Sequence, residues 1–278
     1  MRAKPTMGRP LFSAGLDALA RAGKPPDPRR LFAVTDSAPD RGCSQLWEIW
    51  RAPNDLRSYL VAKEFVNSRP FAGRTDMSEA KLRTPLNRFT VHLCIDMQNV
   101  YAPGGPWATP WMPRVLPVVL AMAERFPERT VFTRFITPER PEDMPGVWRS
   151  YYQKWKALTR QHVDPLLLEL LPELKRLVPP ATVIDKDRYS AFAAPGLFHH
   201  LQAREAGSLV VTGSETDVCV LASVLAAVDL GFRVVVVTDA ICSSSDEGHD
   251  ALLTVYRNRY SEQIETAAAE KVLSAWAR

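Results

Sequence analysis

The sequence predicts an α/β fold in which helices cover both faces of a parallel sheet. Two observations carry that reading. From residue 88 onward, short runs rich in Val and Ile alternate with segments whose apolar residues recur at helical spacing. The runs are also nearly continuous in apolar residues, as in VVVV at 234–237, which fits strands covered on both sides and parallel crossovers through the intervening helices.

Taken in order, the strands are FTVHLCI at 89–95, TVFTRF at 130–135, ATVID at 181–185, SLVVT at 208–212 and RVVVVT at 233–238. A weaker sixth run, EQIET, follows at 262–266. Helical periodicity is read near 113–126, 164–177, 196–206, 217–230, 247–260 and 267–277.

Residues 1–87 have a different texture, with pieces such as GKPPDPRR, two short apolar runs, RLFAVTD and QLWEIWRA, and one amphipathic stretch, DLRSYLVAKEFVNS. They are expected to form an N-terminal extension or small subdomain, with residues 88–278 as the functional domain. The chain has 278 residues and a formal charge of +4. Residues 1–87 hold 15 Lys/Arg against 9 Asp/Glu and the rest 20 against 22, so the two parts carry +6 and −2. The basic excess is scattered among acids and aromatics, which reads as a solvated surface and not a nucleic-acid patch. No run approaches the ~20 apolar residues that span a bilayer, and the N-terminus lacks the apolar core of a secretory signal. A cytoplasmic protein that engages no membrane is expected. Cys43, Cys94, Cys219 and Cys242 are widely spaced, without a CxxC or Cys/His cluster, which argues against a zinc site or a disulfide framework.

In an open parallel sheet, function gathers outside the carboxyl ends of the strands. Three reactive residue types stand there. Asp96 follows the first strand in HLCIDMQNVY, Lys186 the third in TVIDKDRYSAF, and Cys219 opens the helix after the fourth in TGSETDVCV. Each has a plain structural alternative: a turn-forming Asp, a solvated Lys, a small core Cys. Together they suggest chemistry. A helix N-terminus and a nearby cation favour a thiolate, and a carboxylate can take the thiol proton and return it to a leaving amine. The backbone N–H groups of Val218 and Cys219 would face a developing oxyanion.

These motifs, CIDMQN, VIDKDRYSAF and GSETDVCV followed by VVVVTDAICS, resemble those of the isochorismatase-like cysteine hydrolases, which include nicotinamidases and N-carbamoylsarcosine amidases. The resemblance covers roughly residues 88–278. It implies a three-layer α/β/α fold with a six-stranded parallel sheet in the order 3-2-1-4-5-6, and a catalytic triad of Asp96, Lys186 and Cys219. It further implies a non-proline cis peptide between Ser214 and Glu215, the alternative being an ordinary trans turn led by Gly213. Nicotinamidases carry a metal-binding Asp/His/His cluster soon after the second strand. Here that region, TRFITPERPEDMPGVWRSYYQKW, has no histidine, so neither a metal nor an organic cofactor is expected. His92, His199, His200 and His249 read as structural or surface residues.

Members of the resembling family that act on vinyl ethers often replace the cysteine, so retention of Cys219 favours attack on an amide or ureido carbonyl. The substrate is expected to be a small molecule and the assembly a homo-oligomer. Gln98, Trp107, Trp148 and Tyr151 are candidates for the substrate pocket, in a segment dense in aromatics. Arg134 and Arg149 could meet a substrate carboxylate or lie on the surface. A vinyl ether hydrolase, a non-catalytic binding protein and a thiol redox protein are the alternatives, the last disfavoured by the lack of a nearby resolving cysteine.

Overall fold

The structure of the protein is a computed structural model in which residues 82–276 are described. The expected N-terminal extension lies almost wholly outside the described residues.

Six strands form one parallel sheet: β1 Thr90–Ile95, β2 Thr130–Phe135, β3 Thr182–Lys186, β4 Ser208–Ser214, β5 Arg233–Cys242 and β6 Ile264–Ala267. Their order is β3-β2-β1-β4-β5-β6. The helices are α1 Met112–Arg125, α2 Val147–Lys154, α3 Pro172–Lys175, α4 Pro195–Ala203, α5 Leu221–Asp229, α6 Asp246–Arg259 and α7 Ala269–Ala275.

The period of two along each strand sorts the core into two layers. Val91, Leu93, Ile95, Val211 and Val236 pack with Leu197 and Leu201 of α4, Val224 of α5 and Tyr256 of α6. Cys94, Phe132, Val210 and Val235 face the other way, against Val115, Val119 and Met122 of α1 and Val272 of α7. The central strands are buried along nearly their whole length, which explains their continuous apolar character.

Several boundaries differ from expectation. The helix expected over 164–177 is instead a short 3-10 turn, Pro165–Leu168, followed by the four-residue α3. Pro165 and Pro172 each open a new turn, since neither can donate a backbone hydrogen bond to a helix already under way. The strands β4 and β5 run further than their apolar runs, to Ser214 and Cys242. Lys186 is the last residue of β3, not the residue after it. Helix α2 lies in the aromatic segment, where no helix was expected.

One glycine is required by close packing. Gly213 has φ +109°, and a Cβ there would overlap the backbone of Ile95, its neighbour on β1. Gly213→Ala is therefore expected to lower unfolding stability by about 3 kcal/mol, combining left-handed strain with overpacking. Urea titration reads this directly; an unchanged midpoint would mean that β1 and β4 can separate here without loss.

Candidate active site

The strand order reverses between β1 and β4, so the sheet's switch point lies between the chain ends that carry Asp96 and the Cys219 turn. Beyond β1, Asp96 turns the backbone into a left-handed conformation, φ +48°, one that Asp tolerates better than most residues. Thr133 of β2 fixes it twice. Its hydroxyl donates to Asp96 Oδ1 at 2.6 Å and accepts from the Asp96 N–H at 3.2 Å. Lys186 stands two strands away, and neighbouring strands are about 4.8 Å apart, so only a long side chain can close the gap. It passes over the Phe135 ring, 4.8 Å from its centroid. The ammonium then meets Asp96 Oδ2 at 2.6 Å and Cys219 Sγ at 3.5 Å, and donates to the Arg188 carbonyl at 2.9 Å.

Cys219 lies in a π-helical turn, Thr216–Val220, that leads into α5. The turn is braced from three sides. Ser223 donates to the Cys219 carbonyl at 2.7 Å and accepts from the Ala191 N–H at 2.9 Å, tying the turn to the loop after β3. His249 Nδ1 and Thr216 Oγ1 are hydrogen-bonded at 2.9 Å. Ser243 donates to Asp217 at 2.5 Å. The peptide between Ser214 and Glu215 is cis. The Val218 N–H, expected to face an oxyanion, donates to the Glu215 carbonyl at 3.1 Å.

Asp96, Lys186 and Cys219 are all buried. Burial alone would pull the Lys186 ammonium down, but the Asp96 charge, with Cys219, outweighs it and holds Lys186 above its ordinary value. For Cys219 the balance goes against the expected thiolate. Burial pushes the thiol up, the Asp96 charge adds to that push, and Lys186 opposes without cancelling it. Burial thus favours the protonated thiol beside the Lys186 ammonium. Asp96 Oδ2 is in ion-pair contact with Lys186 at 2.6 Å and has no further hydrogen-bond partner among the described residues. A carboxylate oxygen has two lone pairs, so one remains for a proton.

An aromatic cluster extends from Phe135, the ring beneath Lys186. Tyr101, Tyr151 and Tyr189 are all raised, first by burial. Phe135 stacks on Tyr189 at 6.4 Å. Trp107 packs against Tyr101, Phe135 and Tyr151, while Trp148 packs against Tyr151 and Tyr189. Tyr189, stacked on Phe135, was not recognised in the sequence as part of this aromatic cluster, although it lies three positions from Lys186.

Gln98 is different. Its amide donates to the carbonyls of Phe135 and Leu168, at 3.2 and 2.7 Å, and accepts from the Phe135 N–H at 2.7 Å. Both its N–H groups and its oxygen are engaged by backbone, so it braces the ends of β1 and β2. Arg134 is held by Asp185 and Glu169, and Arg149 donates to the Glu142 carbonyl. His92 bridges Thr130 and Thr212 inside the sheet, with burial taking it down to about 3. Cys94 and Cys242 are buried, each pushed up to about 12 by burial. Among the described residues, no cluster of three or more His, Cys, Asp or Glu is arranged to hold a metal, and no helix is long and apolar enough to cross a membrane.

Residues 90–268 match the family model of the isochorismatase domain. An isochorismatase family protein of Bacillus subtilis (strain 168) is 40% identical over 81 residues, which is 29% of this chain and 44% of that protein. Nicotinamidase 3 of Arabidopsis thaliana is 28% identical over 63% of this chain and 84% of its own length. Among solved structures, a cysteine hydrolase from Pseudomonas syringae pv. phaseolicola 1448A aligns with a TM-score of 0.60 at 23% identity, over 72% of this chain and all of that one. N-carbamoylsarcosine amidase from Thermoplasma acidophilum gives 0.53 at 20% identity, over 65% and 96%. These structural likenesses speak to the fold.

Proposed function

Because the chain belongs to the isochorismatase family of hydrolases, we propose that it is a cysteine hydrolase that cleaves the C–N bond of a small amide or ureido compound through a thioester. The observation that carries this reading is the convergence of Asp96 and Cys219 on the Lys186 ammonium, at 2.6 and 3.5 Å.

The buried thiol needs a base at the moment of attack, and Asp96 Oδ2 supplies one. As the Cys219 sulfur bonds to the substrate carbonyl carbon, its proton passes to Asp96 and the carbonyl π pair moves onto oxygen. The Cys219 N–H stabilises that oxyanion, and the Val218 N–H contributes only by sharing its bond to the Glu215 carbonyl. Collapse of the intermediate breaks the C–N bond, and the departing nitrogen takes the proton from Asp96. Water then gives a proton to the same carboxylate and adds to the thioester carbonyl. The C–S bond breaks, the acid leaves, and the sulfur regains its proton. Lys186 remains protonated throughout, holding Asp96 in place and offsetting negative charge on sulfur.

Purified protein offered a panel of small amides, carbamoyl compounds and vinyl ethers tests the reaction class. The expected result is release of ammonia or an amine from at least one C–N substrate. Turnover confined to vinyl ethers would replace this reading.

A further inference from the structure

Helix α6 begins against the turn that carries Cys219. Its cap, Ser245, accepts from the Gly248 N–H at 3.0 Å, and the Ser245 N–H donates to Ser243 Oγ at 3.2 Å, the hydroxyl that also donates to Asp217. At Gly248 the helix lies so close to the Asp217 carboxylate that a Cβ would overlap it. The next residue, His249, places Nδ1 2.9 Å from the hydroxyl of Thr216, the first residue of the turn. The Trp111 ring packs on the imidazole, with centroids 5.1 Å apart.

We propose that His249 is a positioning residue for the nucleophile, acting through Thr216 to fix where the Cys219 sulfur stands against Lys186. The proposal rests on the cysteine-hydrolase reading and adds to it a residue that works through another. Three observations support it. Thr216 opens a five-residue π-helical turn, and its carbonyl accepts from the N–H of Leu221, the first residue of α5. Such turns are short and uncommon, so their shape depends on what holds them from outside, and a shift at Thr216 passes to Cys219 three residues on. Second, both partners are buried. A buried imidazole without a polar partner costs stability; any hydroxyl would meet that need, and here it is one in the nucleophile's turn. Burial also lowers His249, so at neutral pH the uncharged ring holds Thr216 by a hydrogen bond and not by charge. Third, the contact between the Lys186 ammonium and Sγ is 3.5 Å, which leaves little slack, and a misplacement of ~1 Å can cost on the order of 10²-fold in rate. A histidine that only filled space beside Trp111 would need no hydroxyl from the turn.

The test compares full-length Thr216→Val, His249→Leu, the double variant and His249→Asn, whose amide can put a polar atom where Nδ1 stands. Two rates are read at pH 7: alkylation of Cys219 by iodoacetamide, followed by mass spectrometry, and amide turnover. Each of the first two variants is expected to slow alkylation at least ~5-fold, because the sulfur loses its place beside Lys186, and to lower kcat at least ~10-fold with KM changed less than ~3-fold. The double variant should fall within ~2-fold of the singles, since all three lack the same bond. His249→Asn should return to within ~3-fold of wild type. Alkylation that is unchanged or faster in the single variants, losses that multiply in the double variant, or a His249→Asn protein as slow as His249→Leu would each overturn the proposal. Thr216→Val conserves volume and leaves His249 in place, so its alkylation rate decides alone if substitutions at His249 unfold the chain. Alkylation also separates this proposal from the reading beneath it. The expected pattern in a protein that hydrolyses no amide would sink the hydrolase reading and leave the positioning role standing.

Discussion

Cys219→Ala lowers amide turnover by at least ~10³-fold while leaving the fold intact, as expected when a nucleophile is removed and binding groups remain. The sulfur is the group from which the proposed thioester is built, and no other described cysteine can replace it. Cys94 points into the core under α1, and Cys242 is buried. Stability should change little. Alanine deletes one atom from a site packed by Val220 and Val224, and the Asp96–Lys186 pair does not depend on it, so a loss of about 1 kcal/mol is expected. Wild-type turnover by this variant would mean that water, not sulfur, attacks.

Lys186→Met has the next largest effect, and it falls on stability and activity together. Methionine fills a similar volume but leaves the Asp96 carboxylate buried without its counter-charge. Removing one member of a buried ion pair costs about 3–5 kcal/mol. The stranded carboxylate is then driven to hold a proton, and a protonated Asp96 cannot serve as base. Turnover should therefore fall with stability. Combining Lys186→Met with Asp96→Asn takes away both charges. Asparagine accepts the same left-handed backbone and keeps an oxygen for the Thr133 hydroxyl. The double variant should regain most of the lost stability yet stay inactive. If it is as unstable as the single variant, the ion pair is not what Lys186 contributes.

What could be read from the sequence was whatever depends on periodicity and position along a strand. Buried parallel strands are nearly pure Val, Ile and Leu, so β1, β4 and β5 were visible at once, and the residues at their ends marked the site. Features that depend on contacts between distant segments were hidden. Nothing local says that the Lys186 side chain crosses β2 above Phe135. Gln98 resembled a substrate ligand because its neighbours in sequence are site residues, yet its amide is engaged by Phe135 and Leu168, far along the chain. That a helix start and a lysine favour the thiolate while Asp96 opposes it can be inferred from spacing, whereas the depth of burial that pushes the thiol up cannot. Two prolines that break the segment 164–177 were visible but were outweighed by its apolar spacing.

The central claim is a covalent bond between Cys219 and the acyl half of the substrate. Mass spectrometry of wild-type protein, acid-quenched during turnover of an excess of a cleavable amide, tests it most directly. The account predicts that the peptide containing Cys219 gains the mass of the acyl group, that the peptides containing Cys94 and Cys242 do not, and that the gain disappears when the amide is exhausted. Sustained hydrolysis with Cys219 recovered unmodified at every quench time, or with the acyl group on another residue, would contradict it.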